Sequence, residues 1–181
     1  MILKERNLRD PWRKDISSPM IQVSSDIYAK LETSNPTGSV KDRLIQHVVK
    51  KAIRRGEITS ETVFVEATSG NTGISLSAMA ASLGLKTIII MPENMSEERR
   101  QMMRAFGAEI LNVEKSDFAG AIDKRNEMVQ SSNKYWSPMQ FENAENVECH
   151  SIHTGPEIIE QLGGMPFSAF VSGAGTGGTI M

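Results

Sequence analysis

The segment Thr68–Gly73, with the sequence T-S-G-N-T-G, contains the residues whose types and spacing point most directly to chemistry. It follows a short apolar run and opens a helical pattern rich in Ala, Ser and Leu. A glycine-containing turn between a strand and a helix leaves several backbone N–H groups unpaired and pointing the same way. The segment therefore predicts a site for a small anion, with a carboxylate as the favoured ligand, whereas the same motif in isolation would favour an ordinary turn. Side-chain hydroxyl and amide donors come from Thr68, Ser69, Asn71 and Thr72.

Lys41 is the candidate nucleophile, and it lies in the stretch N-P-T-G-S-V-K-D-R. Ser39 is placed to cap the helix that follows, which puts Lys41 in its first turn. The helix dipole disfavours a cation at that end and makes the neutral amine easier to reach. A neutral amine can form a Schiff base with a carbonyl cofactor. Taken alone, however, a lysine is far more often a solvated charge.

A second glycine-rich segment, Gly173–Thr179, follows a predicted strand at 168–171. Its glycines fit the pattern G-x-G-x-x-G, but a dinucleotide-binding fold needs an acidic residue about 20 positions further on, which this sequence does not contain. The loop better suits a single phosphate, because Thr176 and Thr179 place hydroxyls beside glycine amides. A helix normally follows such a loop, and its absence from the sequence predicts a chain that has been cut short.

Gln140 and the region around Cys149 are further candidates. Gln140 follows a predicted strand, and a glutamine at the carboxyl end of a strand in a parallel sheet faces the crevice where ligands bind; an ordinary loop amide is the alternative. Cys149, His150 and His153 offer one thiol and two imidazoles, but no second cluster completes a tetrahedral shell. The sequence therefore predicts a buried thiol beside surface histidines and no metal site.

The composition excludes several classes of protein. The 181 residues are 39% hydrophobic and 23% charged, as in an ordinary soluble globular protein. The formal net charge of -2 argues against a nucleic-acid-binding surface, which needs a clustered basic excess. A single cysteine fits a reducing compartment, and no apolar run is long enough to span a membrane. The predicted location is cytoplasmic.

The hydrophobic pattern alternates between strand and helix periods. This alternation predicts a parallel sheet with helices on both faces, which is an α/β fold. The strands are predicted at 63–65, 87–91, 109–113, from 135, and at 168–171. The helices are predicted at 44–53, at 73–83, from the N-cap Ser96 to Phe106, at 117–130, and from a capping box at Thr154–Glu157 to Gly163.

Six motifs in this order resemble those of the cysteine synthase (O-acetylserine sulfhydrylase) family. They are N-P-T-G-S-V-K-D-R, T-S-G-N-T-G, M-P-E-N-M-S-E-E-R-R, Q-F-E-N-A-E-N, T-G-P-E-I and G-A-G-T-G-G-T. The resemblance runs from Ser18 to the last residue. It implies a fold-type II pyridoxal-phosphate enzyme, similar to the tryptophan synthase β subunit, with the second half of the large domain missing. It also implies a small movable domain at 40–145, with 1–39 and 146–181 as parts of the large domain.

The resemblance implies a role for each matching position. Lys41 would form the Schiff base with pyridoxal 5'-phosphate and later move the substrate's Cα proton, and Asn71 would bind the cofactor's 3′ oxygen. The α-carboxylate of the substrate would be bound by Thr68, Ser69, Asn71, Thr72 and Gln140. The cofactor phosphate would be bound by Gly175, Thr176, Gly177, Gly178 and Thr179.

The implied activity is a β-replacement that makes L-cysteine from O-acetylserine and sulfide. Cystathionine β-synthase and O-phosphoserine sulfhydrylase are alternatives within the same enzyme class. The resemblance also implies a homodimer and a possible complex with serine acetyltransferase. An alternative of another class is a catalytically inactive short homologue that acts as a binding or regulatory subunit.

Overall fold

The computed structural model describes residues 2–181, which form a two-stranded antiparallel sheet, a four-stranded parallel sheet and several helices. The strands are β1 (Met20–Ser24), β2 (Ile27–Lys30), β3 (Val63–Ala67), β4 (Lys86–Pro92), β5 (Glu109–Val113) and β6 (Tyr135–Trp136). The α-helices are α1 (Lys41–Arg54), α2 (Asn71–Leu83), α3 (Glu97–Ala105), α4 (Phe118–Ser131), α5 (Glu145–Cys149) and α6 (Gly155–Gln161). The remaining elements are 3-10 helices at Glu5–Asn7 and Glu32–Ser34 and a π-helical turn at His150–Thr154. Within residues 2–181, no helix combines the length and apolar character needed to span a bilayer.

The four-stranded sheet has the order β5-β4-β3-β6, and all of its strands run in parallel. Each connection between consecutive strands of this sheet passes through a helix, which is how parallel neighbours must be joined. All five residues of β3 are buried, because helices cover both faces of the sheet. The predicted α/β fold with a parallel sheet is therefore confirmed.

Alternate side chains of β3 and β4 pack in two separate core layers, one on each face of the sheet. Phe64 and Ile89 pack in the layer that contains the inner faces of α1 and α2. Val65 and Ile90 pack in the other layer, against Ala121 of α4. These strand side chains are fully buried, and each such burial contributes roughly 1.5–3 kcal/mol. The sheet is thus anchored from both sides, which leaves its carboxyl edge to carry the loops.

Local capping chemistry sets the start of α3, the start of α4 and the end of α2. Ser96 Oγ accepts a hydrogen bond from the Arg99 N–H at the start of α3, which confirms the predicted N-cap. Asp117 does the same at the start of α4, where its side chain accepts from the Gly120 N–H at 2.8 Å. Gly84 ends α2 with φ of 71°, a left-handed conformation that favours glycine.

The strand predicted at 168–171 is wrong. Residues 168–175 have no regular structure, and Phe167, Phe170 and Val171 are exposed, the last at 91%. A strand needs a neighbour to pair its backbone N–H and C=O groups. No strand within residues 2–181 pairs with this segment, so its apolar pattern does not produce a strand.

The capping box predicted at Thr154–Glu157 is also wrong. The π-helical turn runs directly into α6, so Thr154 already has helical angles of φ -67 and ψ -45. Its hydroxyl lies 2.9 Å from His150 Nδ1 instead of capping the helix. Glu157 turns away to bind Arg43. The hairpin of β1 and β2 was not predicted, although Ile21 and Val23 of β1 alternate with the polar residues Gln22 and Ser24.

A buried ionic network joins the N-terminal segment, α1 and α6. Arg43 of α1 is 2% exposed and pairs with Glu32 at 2.8 Å and with Glu157 of α6 at 2.7 Å. Its Nη2 donates to Ser18 Oγ at 2.8 Å, and Lys30 of β2 also binds Glu157. Breaking one partner of a buried pair leaves an uncompensated charge, so this network fixes how the three segments meet.

The network predicts that stability depends on the ionisation of Glu157. Burial alone would raise the pKa of this carboxyl, but hydrogen bonds from Arg43 and Lys30 outweigh it and lower the pKa to about 2. The ionised form therefore stabilises the fold above the ordinary pKa of 4.5, and this contribution is lost as the pH falls toward 2. We expect Glu157→Gln to unfold at lower urea concentration than wild type at neutral pH, with the difference shrinking through this acidic range.

The exposed Glu160 of α6 provides the control, since Glu160→Gln should change the free energy of unfolding by less than about 0.5 kcal/mol. A stability difference between wild type and Glu157→Gln that stays constant down to the most acidic pH would contradict this prediction.

Candidate active site

The first turn of α1 places Lys41 beside the glycine-rich loop. Lys41 is the first residue of α1 and is partly buried, and its Nζ donates to Thr176 Oγ1 at 3.4 Å. Ser39 Oγ accepts from the Lys41 backbone N–H at 3.3 Å, although the N-cap position itself is Val40. Burial lowers the pKa of the Lys41 ammonium group below its ordinary value. The amine is therefore closer to its neutral, nucleophilic form than that of an exposed lysine.

The fully buried carboxylate of Asp42 fixes this turn against α2. It accepts hydrogen bonds from the Thr37 N–H at 2.7 Å, from Ser75 Oγ at 2.5 Å and from the Thr37 hydroxyl. Ser75 belongs to α2, so one carboxylate joins the loop before α1, α1 itself and the helix that follows the T-S-G-N-T-G turn. The position of Lys41 relative to that turn depends on these bonds.

The Thr68–Gly73 turn connects the carboxyl end of β3 to α2, as the sequence predicts. Thr68 Oγ1 accepts from the Gly70 N–H at 3.2 Å. Thr72 Oγ1 donates to Gln140 Oε1 at 2.6 Å, and both side chains are buried. The fold thus brings Gln140 to the turn although the two residues are 68 positions apart in the chain.

Ser69 and Asn71 lie on the more exposed part of the same turn. Ser69 is partly buried, and its carbonyl accepts from Arg99 Nη1 at 3.4 Å. Asn71 is exposed as the first residue of α2. Within residues 2–181, neither residue is hydrogen-bonded to Lys41. Their assignment to the substrate carboxylate and the cofactor remains a prediction.

A buried ion pair that the sequence analysis missed holds the backbone of Gln140. Glu66 of β3 is fully buried; its Oε2 accepts from the Gln140 N–H at 3.4 Å and its Oε1 lies 3.3 Å from Arg125 Nη1. The signal was an acidic residue inside the apolar run V-F-V-E-A. A buried carboxylate must find partners, so this glutamate could have been singled out.

The side chains of the glycine-rich loop contact α5 and the π-helical turn. Thr176 Oγ1 accepts from Asn146 Nδ2 at 2.8 Å in addition to its contact with Lys41. Thr179 Oγ1 lies 3.2 Å from His150 Nε2. Asn146 and His150 were not among the predicted site residues, although Asn146 lies in the quoted motif Q-F-E-N-A-E-N.

Two glycines of this loop are required by its geometry. Gly177 has φ of +84°, which L side chains rarely adopt. A Cβ on Gly178 would lie 2.2 Å from Asn146 Oδ1, so any larger residue would push the carboxamide away. By contrast, Gly173 and Gly175 have no atom within 4 Å of the corresponding Cβ position.

The burial of the residues around Cys149 agrees with the prediction for the thiol but not for one of the two neighbouring histidines. Cys149 is buried as predicted, and burial raises the pKa of its thiol to about 12. His150 is also buried, so its description as a surface histidine is wrong. Burial, with the Lys41 charge, lowers the pKa of His150 to about 4, so the imidazole is neutral near pH 7. His153 packs edge-on against the His47 ring at 5.4 Å.

The donor set fits a cofactor that carries both an aldehyde and a phosphate. The Lys41 amine, with its lowered pKa, suits reaction with a carbonyl group. The loop beside it offers hydroxyls and glycine amides, which suit a phosphate. Lys41 and this loop meet through the contact between Nζ and Thr176 Oγ1. In residues 2–181, no cluster of three or more His, Cys, Asp or Glu side chains could hold a metal ion.

Comparison with known proteins gives the same family for almost the whole chain. The family model for "Pyridoxal-phosphate dependent enzyme" matches residues 16–181. A curated cysteine synthase from Staphylococcus aureus (strain Mu50) is 46% identical over 158 residues, which are 87% of this chain and 51% of that protein. The chain thus spans about half the length of the curated relatives it matches.

Solved structures agree with this assignment of the fold. Cysteine synthase from Entamoeba histolytica has a TM-score of 0.85 and 35% identity, with 93% of this chain and 53% of that chain covered. O-acetylserine-dependent cystathionine β-synthase from Helicobacter pylori has a TM-score of 0.82 and 39% identity, with 99% of this chain and 60% of that chain covered. The fold is that of the fold-type II pyridoxal-phosphate enzymes.

The contact between Gly178 and Asn146 predicts a selective effect of adding one methyl group. We expect Gly178→Ala to displace the Asn146 carboxamide and to lower the free energy of unfolding by about 1–3 kcal/mol, as overpacking does. Gly173→Ala, which meets open space, should change it by less than about 0.5 kcal/mol. Urea unfolding of both variants measures the difference, and equal losses would show that the close approach is not a constraint.

Proposed function

Because the chain belongs to the family of pyridoxal-phosphate-dependent enzymes, we propose that it serves the synthesis of L-cysteine from O-acetylserine and sulfide. The reaction is a β-replacement in which acetate leaves the substrate's Cβ and sulfide takes its place. Curated relatives named cysteine synthase support this reaction. Since the chain spans about half of such relatives, the activity is proposed for the protein that contains these residues.

One observation carries the proposal: Lys41 Nζ lies 3.4 Å from Thr176 Oγ1 of the glycine-rich loop. A lysine with a lowered pKa therefore lies next to hydroxyl and amide donors that suit a phosphate. Pyridoxal phosphate has an aldehyde for the amine and a phosphate for the loop. When bound, it supplies the electron sink for chemistry at the substrate's Cα.

Lys41 has two tasks in this proposal. It would hold the cofactor through its Nζ, and its neutral amine would take the proton from the substrate's Cα once the substrate is bound. Acetate departs from Cβ, hydrosulfide adds at the same carbon, and Lys41 returns the proton to Cα. A lowered pKa suits this role, because the amine must be neutral to accept the proton.

The two anion sites orient the reactants around Lys41. The Thr68–Gly73 turn binds the substrate's α-carboxylate, and the hydrogen bond between Thr72 and Gln140 places both of these side chains at that site. Asn71 would hold the cofactor's 3′ oxygen. The loop residues that would hold the cofactor phosphate are Gly175, Thr176, Gly177, Gly178 and Thr179, and those that would bind the carboxylate are Thr68, Ser69, Asn71, Thr72 and Gln140.

We propose two domains, with residues 40–145 as the small movable domain and residues 1–39 and 146–181 as parts of the large domain. Direct contacts between the two outer segments support their grouping, because Lys30 binds Glu157 and the Ser18 N–H donates to Glu157 Oε1 at 2.9 Å. Arg43 of the small domain also binds Glu32 and Glu157, which puts α1 at the boundary between the two domains. We further propose a cytoplasmic homodimer that can associate with serine acetyltransferase.

A solved structure supports one alternative to this function. The Helicobacter pylori neighbour is an O-acetylserine-dependent cystathionine β-synthase, which keeps a thiol amino acid as an alternative acceptor, and O-phosphoserine remains an alternative donor. Acetate or phosphate release from O-acetylserine or O-phosphoserine, with sulfide or homocysteine as acceptor, separates these functions.

The role of Lys41 can be tested by fixing the cofactor chemically. The chain is incubated with pyridoxal phosphate and reduced with sodium borohydride, and peptide mass spectrometry then locates the added group. We expect one modified residue, Lys41, and at least a tenfold loss of modification in Lys41→Ala. Lys51→Ala, a change on the same helix, should leave the labelling of Lys41 as in wild type.

Circular dichroism of Lys41→Ala should match wild type, because Lys41 forms no ion pair within residues 2–181. Labelling spread over several lysines, or an unchanged yield in Lys41→Ala, would contradict the assignment of Lys41.

A further inference from the structure

Asn146 lies between the two anion sites and contacts both. It is 3% exposed, at the start of α5. Its Nδ2 donates to the Gln140 backbone carbonyl at 3.1 Å and to Thr176 Oγ1 at 2.8 Å. A single carboxamide thus joins Gln140, in the loop after β6, to the glycine-rich loop.

The orientation of this carboxamide is fixed by its surroundings. Its Nδ2 faces an obligatory acceptor, the Gln140 carbonyl, so a flipped amide would set two acceptor oxygens against each other. Its Oδ1 is buried against Gly178 and has no hydrogen-bond partner within residues 2–181.

The contacts continue on both sides of Asn146. On one side, the side chain of Gln140 accepts from Thr72 Oγ1 at 2.6 Å. On the other side, Thr176 Oγ1 is 3.4 Å from Lys41 Nζ. Two sets of hydrogen bonds therefore meet at Gln140: its side chain bonds to Thr72, and its backbone carbonyl connects through Asn146 and Thr176 to Lys41.

We propose that Asn146 is a positioning residue that couples the Thr68–Gly73 turn to the Gly173–Thr179 loop. An anion bound at the loop orders Thr176, which orders the Asn146 carboxamide and presents Gln140 to the turn. A second anion at the turn then meets a site that is already arranged, so its affinity rises. The inference rests on the proposed function, from which the two anion sites are taken.

Inorganic phosphate and acetate serve as separate probes of the two sites. In the nitrogen-15-labelled chain, NMR signals of the Thr176 and Thr72 backbone amides report phosphate and acetate binding respectively. We expect saturating phosphate to tighten acetate binding about fivefold or more, within the usual range of coupling between sites. In Asn146→Ala, acetate should bind with the same affinity in the presence and absence of phosphate, so that the ratio of these two affinities is one.

Asn143→Ala is the matched control. Asn143 anchors the same loop by donating to the Pro138 carbonyl at 3.0 Å and accepting from the Glu145 N–H at 2.9 Å, but its side chain forms no hydrogen bond with Gln140 or Thr176. We expect this variant to keep the wild-type ratio. If Asn146→Ala does not fold, the isosteric Asn146→Asp is measured instead, since it loses both donated hydrogen bonds.

The outcomes separate this inference from the proposed function. Three results would each overturn the inference. The first is coupling that persists in Asn146→Ala or Asn146→Asp, and the second is an acetate affinity in wild type that phosphate does not change. The third is the absence of phosphate binding at Thr176. If Lys41 is labelled by borohydride but no coupling is found, the proposed function stands without it. If coupling is lost when Asn146 is replaced but Lys41 is never labelled, the positioning role of Asn146 stands and the proposed function fails.

Discussion

The buried carboxylate of Asp42 is the constraint on which the geometry of the site depends. Successive residues of an α-helix point about 100° apart, so Lys41, Asp42 and Arg43 leave the first turn of α1 in three directions. Lys41 reaches the glycine-rich loop, Asp42 bonds to α2, and Arg43 enters the ionic network with Glu32 and Glu157. One helical turn therefore sets the distances between the amine, the turn before α2 and the outer segments.

The ionisable side chains of this turn are of two kinds, those with several hydrogen-bond partners and one without an ion pair. Asp42 and Arg43 are almost fully buried and satisfied by several hydrogen bonds each. Such groups contribute less to stability than to a single defined arrangement, because the cost of desolvation offsets much of their attraction. Lys41 forms no ion pair within residues 2–181 and its pKa is lowered. The neighbours of Lys41 fix its backbone while its amine stays available for chemistry.

Local patterns predicted the parts of the fold that depend on local physics. Hydrophobic periodicity located the strands of the parallel sheet, and the hydroxyl of Ser96 marked the start of α3. The strand expected at 168–171 failed because pairing requires a partner that periodicity cannot supply. The contacts of Glu66 and Asn146 were missed for the same reason, since each joins segments far apart in sequence.

The proposed function depends on the Lys41 amine and the glycine-rich loop, and phosphorus-31 NMR is the most direct test of whether the loop binds the cofactor phosphate. A phosphate monoester free in water titrates with a second pKa of about 6, and its chemical shift follows the pH. If the loop holds the phosphate of pyridoxal phosphate as a desolvated dianion, the shift of the bound cofactor will stay constant across that pH. A shift that follows the titration of free pyridoxal phosphate would contradict the account.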